Sequence, residues 1–475
     1  MQSIQPYISD LEGQRPTGEE NLSLSRQLAA WSADANLVFS ELAVQRAEIA
    51  ITDVIGCLLG GRTEPAVLNA GRAFPGEGGG ASAVTSPWPV AATWAALING
   101  CAAHVLDFDD NFFPPITHAS AALVPALLAL GEEICATPAA IVRAYIIGLE
   151  IQAQIGERIN PAHYAAGWHA TSTIGTLGVA VACAVLLQLD EDGIVHALSI
   201  ASSLAGGSKR QFGSMVKPLH AGFAALHGVM AARLAASGIT GGEDTLQGQW
   251  SFAQLYGGDI HTAEAPARLF PVTPLAIEKF GLVAKLYPSC MSSHLGIDAL
   301  LALRASHEFS VAQIARVDLY LPGFMVANLR YEQPSTPTEA RFSMNFCAAV
   351  ALLDGAPRLG HFSDAALLRP EIQQLMPKVH RHEQQVSPQA AQLPWGGDCL
   401  ARIALKDGRT LEQYWSYPKG CPQNPLSAEE QWQKFSDCAA GNVGDQALRP
   451  LFDALCGFSR LPGLEVLTTS LRWHS

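Results

Sequence analysis

The sequence predicts a mainly α-helical protein, a large helical domain interrupted by a smaller α+β lid domain. Three observations carry this expectation. Apolar runs rich in Ala, Leu, Ile and Val follow one another from Leu24 to about His261, punctuated by Pro, Gly and Asp. The texture changes after about Gly281, where strand-like alternation begins. Helical patterning returns beyond about Pro425. A chain of 475 residues exceeds one ordinary core, which agrees with a two-part division. The expected boundaries are a loose polar arm over 1–22, a helical domain over 23–282 with 425–475, and the α+β domain over 283–424.

Within the helical part, Ala119–Leu130, Ala139–Ile159, Ser172–Leu187, Gly193–Leu204 and Ala221–Ala236 read as helices. Their many small residues allow close helix packing, and no heptad or fixed-period repeat is present. In the second part, Ile314–Leu321 (IARVDLYL) alternates like a strand. Leu400–Leu411 reads as a strand with an Asp-Gly turn, and Glu412–Ser416 as its hairpin partner. Phe346–Leu353 reads as an apolar helix, and Ser427 as the cap of the helix that follows it.

Composition excludes several classes. Hydrophobic residues make up 49% and charged residues 15%, which rules out a disordered chain. The net charge is -13 and the longest basic cluster is the pair Lys209-Arg210, so no nucleic-acid partner is expected. The ten cysteines are spread without a CxxC pair, mostly in apolar runs, which suits buried reduced thiols better than disulfides or zinc. The N-terminus lacks a basic start and apolar stretch, so a cytoplasmic protein is expected. Ala170–Leu189 is uncharged over 20 residues, but its three threonines, one serine and two glycines favour a buried helix, so no membrane partner is expected.

Four strings hold residues suited to chemistry. The first is His104-Val-Leu-Asp107-Phe-Asp109-Asp110-Asn111, followed by Thr117-His118. Three carboxylates so close repel unless something positive or protonated lies among them. A divalent cation, one protonated aspartate acting as an acid, or helix capping would each meet that need. The second string is His163-Tyr164-Ala-Ala-Gly167-Trp168-His169-Ala-Thr171, in a turn before an apolar helix. A helix N-terminus favours the neutral imidazole of His169. The third, Ser208-Lys209-Arg210-Gln-Phe-Gly213-Ser214-Met-Val-Lys217-Pro-Leu-His220-Ala-Gly222, opens another helix, and Lys217 and the backbone N–H groups suit a carboxylate. The fourth, Lys285-Leu-Tyr287-Pro-Ser-Cys290, falls at the change of texture, where ligand sites are common. No GxGxxG after a strand, GxxxxGK[ST], HExxH or GxSxG occurs. The DxDD string also occurs in class II terpene cyclases, but aromatics are only 8% of the chain, too few for a carbocation cavity.

Together, in this order, the strings around Asp107, His169, Lys217 and Lys285 resemble the MmgE/PrpD family, as do Phe342–Phe346, Leu353–Gly355 and Pro418–Ser427. That family includes 2-methylcitrate dehydratase, cis-aconitate decarboxylase and iminodisuccinate epimerase. The resemblance runs from about Leu24 to about Phe435. It implies a helical domain with an α+β lid, an active site between them, a homodimer, and no metal or other cofactor. It places Asp107, Asn111, His118, His169, Lys217 and Lys285 in the active site, with His220 beside them. The implied roles are catalysis for His118, His169, Asp107 and Lys217, and substrate binding for Asn111, Lys285 and His220. Lys209 precedes Gly213, where the family's part of the third string begins, and is expected off the substrate. Two departures stand out. Asn111 replaces a threonine found in some family lyases, and a decarboxylase tyrosine falls on Phe346. The substrate expected is a small di- or tricarboxylate. A 2-methylcitrate dehydratase-like hydro-lyase is placed first, with an isomerase or a decarboxylase as alternatives, and Phe346 counts against the decarboxylase in particular. A non-catalytic carboxylate-binding protein is the rival from another class.

Overall fold

The computed structural model describes residues 22–74, 78–257 and 273–472. Apart from Leu22, the expected N-terminal arm lies outside them. The molecule is mainly helical with a single small sheet among the described residues.

The long helices are Glu41–Gly61, Ala92–Val105, Ala119–Ile134, Pro138–Ile159, Ile174–Leu186, Glu191–Leu204 and Val216–Ala236. Their starts are written locally. Ser40 accepts from the Ala43 N–H, Thr137 from Ala140 with Pro138 in the first turn, and Asp190 from Gly193. Each satisfies an N–H that would otherwise lack a partner. The uncharged run from Ala170 becomes the Ile174–Leu186 helix, nearly all of it buried. No described helix is long and apolar enough to cross a membrane.

Small residues decide how two of these helices meet. A Cβ on Gly100 would fall 2.8 Å from the Gly222 Cα, and one on Gly222 only 2.3 Å from the Leu97 carbonyl oxygen. The Ala92–Val105 and Val216–Ala236 helices therefore touch backbone to backbone. This contact sets the end of the first, with His104 and Asp107, beside the first turns of the second, with Lys217 and His220.

The sheet has four strands: β1 (Ile314–Pro322), β2 (Val379–Gln384), β3 (Cys399–Leu405) and β4 (Thr410–Trp415). Their order is β2-β1-β3-β4. β3 and β4 form an antiparallel hairpin, with Ile403 opposite Leu411. β3 alternates buried and half-buried residues, which is the pattern the sequence shows. β1 pairs antiparallel with β3 and parallel with β2, with Val317 opposite Val379. The Met344–Leu353 helix lies in the crossover between the two parallel strands and is capped by Ser343.

Two large hydrophobic cores result, with a small cluster of Cys57, Leu106, Phe108 and Cys438 besides. One is built from residues of 24–277 and 435–471. The other is built from 283–421, joined by Phe212 from the helical segment. They are stitched together near the DxDD string. Asn111 and Val283 exchange backbone hydrogen bonds of 2.9 and 2.8 Å, and Arg341 donates to the carbonyls of Leu106, at 2.5 Å, and Pro288, at 3.0 Å. All ten cysteines are free thiols, and eight of them are buried.

Candidate active site

The segment after the Ala92–Val105 helix turns sharply. Asp107 has a φ of 51°, a left-handed conformation that costs a non-glycine residue about 1–2 kcal/mol. The strain turns its carboxylate to the start of the Val216–Ala236 helix. Lys217 Nζ donates to Asp107 Oδ2 at 2.5 Å, while Lys285 Nζ donates to Oδ1 and, at 3.0 Å, to the Asp107 carbonyl. Burial alone would raise the Asp107 carboxyl, but the two ammonium groups reverse this and hold it well below the carboxylate range.

The three aspartates escape mutual repulsion by taking separate partners. Asp109 lies 2.8 Å from His104 Nδ1 and 3.1 Å from His118 Nδ1, both on its Oδ2. Burial opposes its charge, and the two imidazoles overcome that opposition. Asp110 accepts from the Ser120 hydroxyl, which shares a 2.6 Å hydrogen bond with Tyr145. Burial pushes the Asp110 carboxyl up to about 7. Ser120 lies in the first turn of the next helix, so Asp110 alone of the three has a role near helix capping.

The histidines gather above this carboxylate row. The ring centroids of His104 and His118 are 4.4 Å apart, and those of His118 and His169 are 6.3 Å apart. His169 Nδ1 meets His220 Nδ1 at 2.8 Å. Burial, and then the neighbouring imidazoles and Lys217, hold His169 well below its ordinary value. Burial lowers His118 as well, and takes His104 and His220 to about 4. At neutral pH the set is uncharged, with lone pairs ready to accept a proton. One ring nitrogen each of His104, His118 and His169 lies within 4.8 Å of the other two. Neutral imidazoles that close are donors a transition metal would accept.

Beside the histidines is a cavity of about 350 Å³. Asp107, Asn111, His118, His169 and Lys217 line it. Its remaining wall is largely apolar, with Phe113, Phe212, Leu295, Met325, Phe342 and Trp395. The cavity draws residues from both cores and lies where Phe212 crosses between them.

Several residues stand elsewhere than the sequence places them. Lys285 and His220 do not line the cavity. Lys285 is fully buried behind Asp107, and His220 stands behind His169. Both sit one contact further out than substrate-binding residues would. Lys217 and His169 are deeply buried, although their positions at helix starts read as loops. Phe346 does not reach the cavity either. It is fully buried in the second core against Phe362, with centroids 5.5 Å apart. The aromatic rings beside Lys217 are Phe342 and Phe212, whose centroids lie 5.0 and 5.7 Å from Lys217 Nζ. Lys209 was expected off the substrate, yet it lines the cavity.

Sequence reasoning also passed over His104, Tyr164, Asn328, Phe342 and Trp395. His104 had a signal, since it shares its string with Asp107 and Asp109. Tyr164 shares the string of His169, and Phe342 opens the Phe342–Phe346 string. Asn328 and Trp395 come from distant segments, and nothing in the local sequence marks them.

A mainly helical fold with a buried row of paired aspartates, imidazoles and lysine beside a largely apolar cavity marks a candidate acid–base site. Comparison with known proteins gives the class a family. The MmgE/PrpD N-terminal domain matches residues 26–263, and the MmgE/PrpD C-terminal domain matches 287–453. The chain belongs to the MmgE/PrpD family. Its relatives include human cis-aconitate decarboxylase, 29% identical over 398 residues, 81% of this chain and 80% of the relative. The mouse cis-aconitate decarboxylase is also 29% identical, covering 81% and 79%. The Aspergillus terreus cis-aconitate decarboxylase is 26% identical over 412 residues, covering 80% and 81%.

Proposed function

We propose that this chain is a carbon–carbon lyase that decarboxylates an unsaturated tricarboxylate such as cis-aconitate. The observation that carries the reading is the combination in one cavity of Lys217, held on Asp107, two uncharged imidazoles, and an apolar wall. The three decarboxylase relatives, each matched over about four-fifths of its length, support it.

The chemistry suits these residues. A substrate carboxylate near Lys217 gains a charge-assisted partner. A second carboxylate against the apolar wall loses hydration, and that loss favours its departure as neutral CO2. The bond to that carboxylate breaks, and its electron pair forms a new double bond. The old double bond shifts its pair to its far carbon, which takes one proton. The proton comes from His118 or His169. Each is neutral at rest, and a polyanionic substrate raises its affinity for a proton from solvent before transfer. Asp107 holds Lys217 and Lys285 in place, and Asp109 orients His118.

A second reading keeps the family's hydro-lyase chemistry, with 2-methylcitrate as the test substrate. His118 and His169, on one cavity with centroids 6.3 Å apart, suit a base and an acid for a leaving hydroxyl. One experiment separates the readings. Purified protein is incubated with cis-aconitate, citrate and 2-methylcitrate while CO2 and ultraviolet absorbance are followed. Decarboxylation predicts CO2 from cis-aconitate. A rise in alkene absorbance from 2-methylcitrate without CO2 would replace it with dehydration. Deuterium uptake from solvent without net conversion would indicate an isomerase.

A further inference from the structure

The cavity holds a cation that the acid–base site leaves unused. Lys209 lies in the short turn Lys209–Gln211, anchored by its backbone N–H on the Gly167 carbonyl at 2.8 Å. Its Nζ sits 3.6 Å from the Tyr164 ring centroid and donates to the Tyr164 carbonyl at 3.2 Å. Among the described residues it has no carboxylate partner, whereas Lys217 and Lys285 share Asp107. An ammonium group has three N–H donors. One meets the carbonyl and the ring face occupies another direction, which leaves a donor for a ligand.

Neutral donors continue from it. Asn328 Nδ2 lies 3.3 Å from the Tyr164 hydroxyl and 3.2 Å from Ser292 Oγ, and all three residues line the same cavity. A half-buried cation beside hydroxyl and amide groups recognises a carboxylate. The charges agree, because a tricarboxylate brings more negative charge than the Asp107–Lys217–Lys285 cluster can balance.

We propose that Lys209, with Tyr164, Asn328 and Ser292, forms a second anion subsite that takes a carboxylate remote from the reacting carbon and selects polycarboxylates over monocarboxylates. This rests on the lyase reading for the identity of the substrate, and on the cavity alone for the class of ligand.

The test compares Lys209→Met, Lys209→Arg and Arg210→Ala. Arg210 is an exposed neighbour outside the cavity and controls for loss of one positive charge. Binding of tricarballylate, a saturated tricarboxylate, and of butyrate is measured by calorimetry, and cis-aconitate turnover is measured in parallel. Lys209→Met should weaken tricarballylate about tenfold or more, the usual effect of losing a charged hydrogen bond, and leave butyrate unchanged. Its KM for cis-aconitate should rise with kcat little altered. Lys209→Arg should recover most of the affinity, and Arg210→Ala should resemble the wild type. Equal weakening of both ligands, unchanged tricarballylate affinity, or no binding of tricarballylate by the wild type would each overturn the subsite. A wild type that binds tricarballylate in a Lys209-dependent way but releases no CO2 from cis-aconitate would refute the lyase reading and leave the subsite standing.

Discussion

Lys217 Nζ stands 2.5 Å from Asp107 Oδ2, and Lys285 takes the other oxygen of the same carboxylate. One buried anion thus holds two buried cations, of which only Lys217 lines the cavity. Asp107→Asn strips both of their counter-charge. Breaking a buried pair this way costs about 3–5 kcal/mol. We expect a clear loss of melting temperature together with a fall in turnover of about a hundredfold or more. Lys217→Ala leaves Asp107 paired with Lys285, so it should lose as much turnover with a smaller change in melting temperature. Equal stability losses would show that Lys285 does not compensate.

His169 and His220 should separate by kind of effect. His169→Ala should reduce turnover about a hundredfold or more, as expected for a lost acid or base. His220 lies behind His169 and positions it. His220→Gln should lower kcat less and displace the pH profile, because a neighbour that lowers His169 has been replaced. An unshifted profile would reduce His220 to packing alone.

Asp110 predicts a pH dependence of stability. Its carboxyl is raised from 3.8 to about 7, so the fold favours the protonated form. That contribution is complete below about pH 3.8 and is lost as pH rises through about 7. Asp110→Asn imitates the protonated form. Between pH 5 and pH 8 the wild type should lose roughly 2–3 kcal/mol more than this variant. His104 and His220 act in the opposite sense. Both are lowered from 6.5 to about 4, so their contribution is present above pH 6.5 and lost as pH falls through about 4. Denaturant melts across pH 4 to 8 would test both limbs, and a flat difference between Asp110→Asn and wild type would refute the first.

Phe346→Tyr tests whether the second core or the cavity owns that ring. A hydroxyl placed in this buried apolar position lacks a partner and should cost about 1–3 kcal/mol, with turnover per folded molecule unchanged. A gain in decarboxylation would return Phe346 to the site.

The proposed mechanism uses the imidazoles for protons. Prolonged EDTA treatment should therefore leave turnover intact. Loss of activity, with recovery on adding back zinc or manganese, would reassign His104, His118 and His169 as metal ligands.

By itself the sequence determined the helices, the hairpin and the strings that carry the chemistry. Such features are local. A Ser or Thr cap, an Asp-Gly turn and the period of apolar residues act within a few positions, so they can be read along the chain. β2 could not be read this way, because Val379–Gln384 is largely polar and only its parallel pairing with β1 makes it a strand. The same limit applied to the site. The strings around Asp107, His169, Lys217 and Lys285 were visible, but their distances from the cavity were not. Tertiary structure alone placed Lys285 and His220 behind their partners, moved Phe346 into a core and brought Lys209 to the cavity. The physical reason is that burial and charge pairing depend on contacts between residues more than a hundred positions apart, such as Asp107 with Lys217 and Lys285. Those contacts form only when glycine-paired helices and the second core close on one carboxylate.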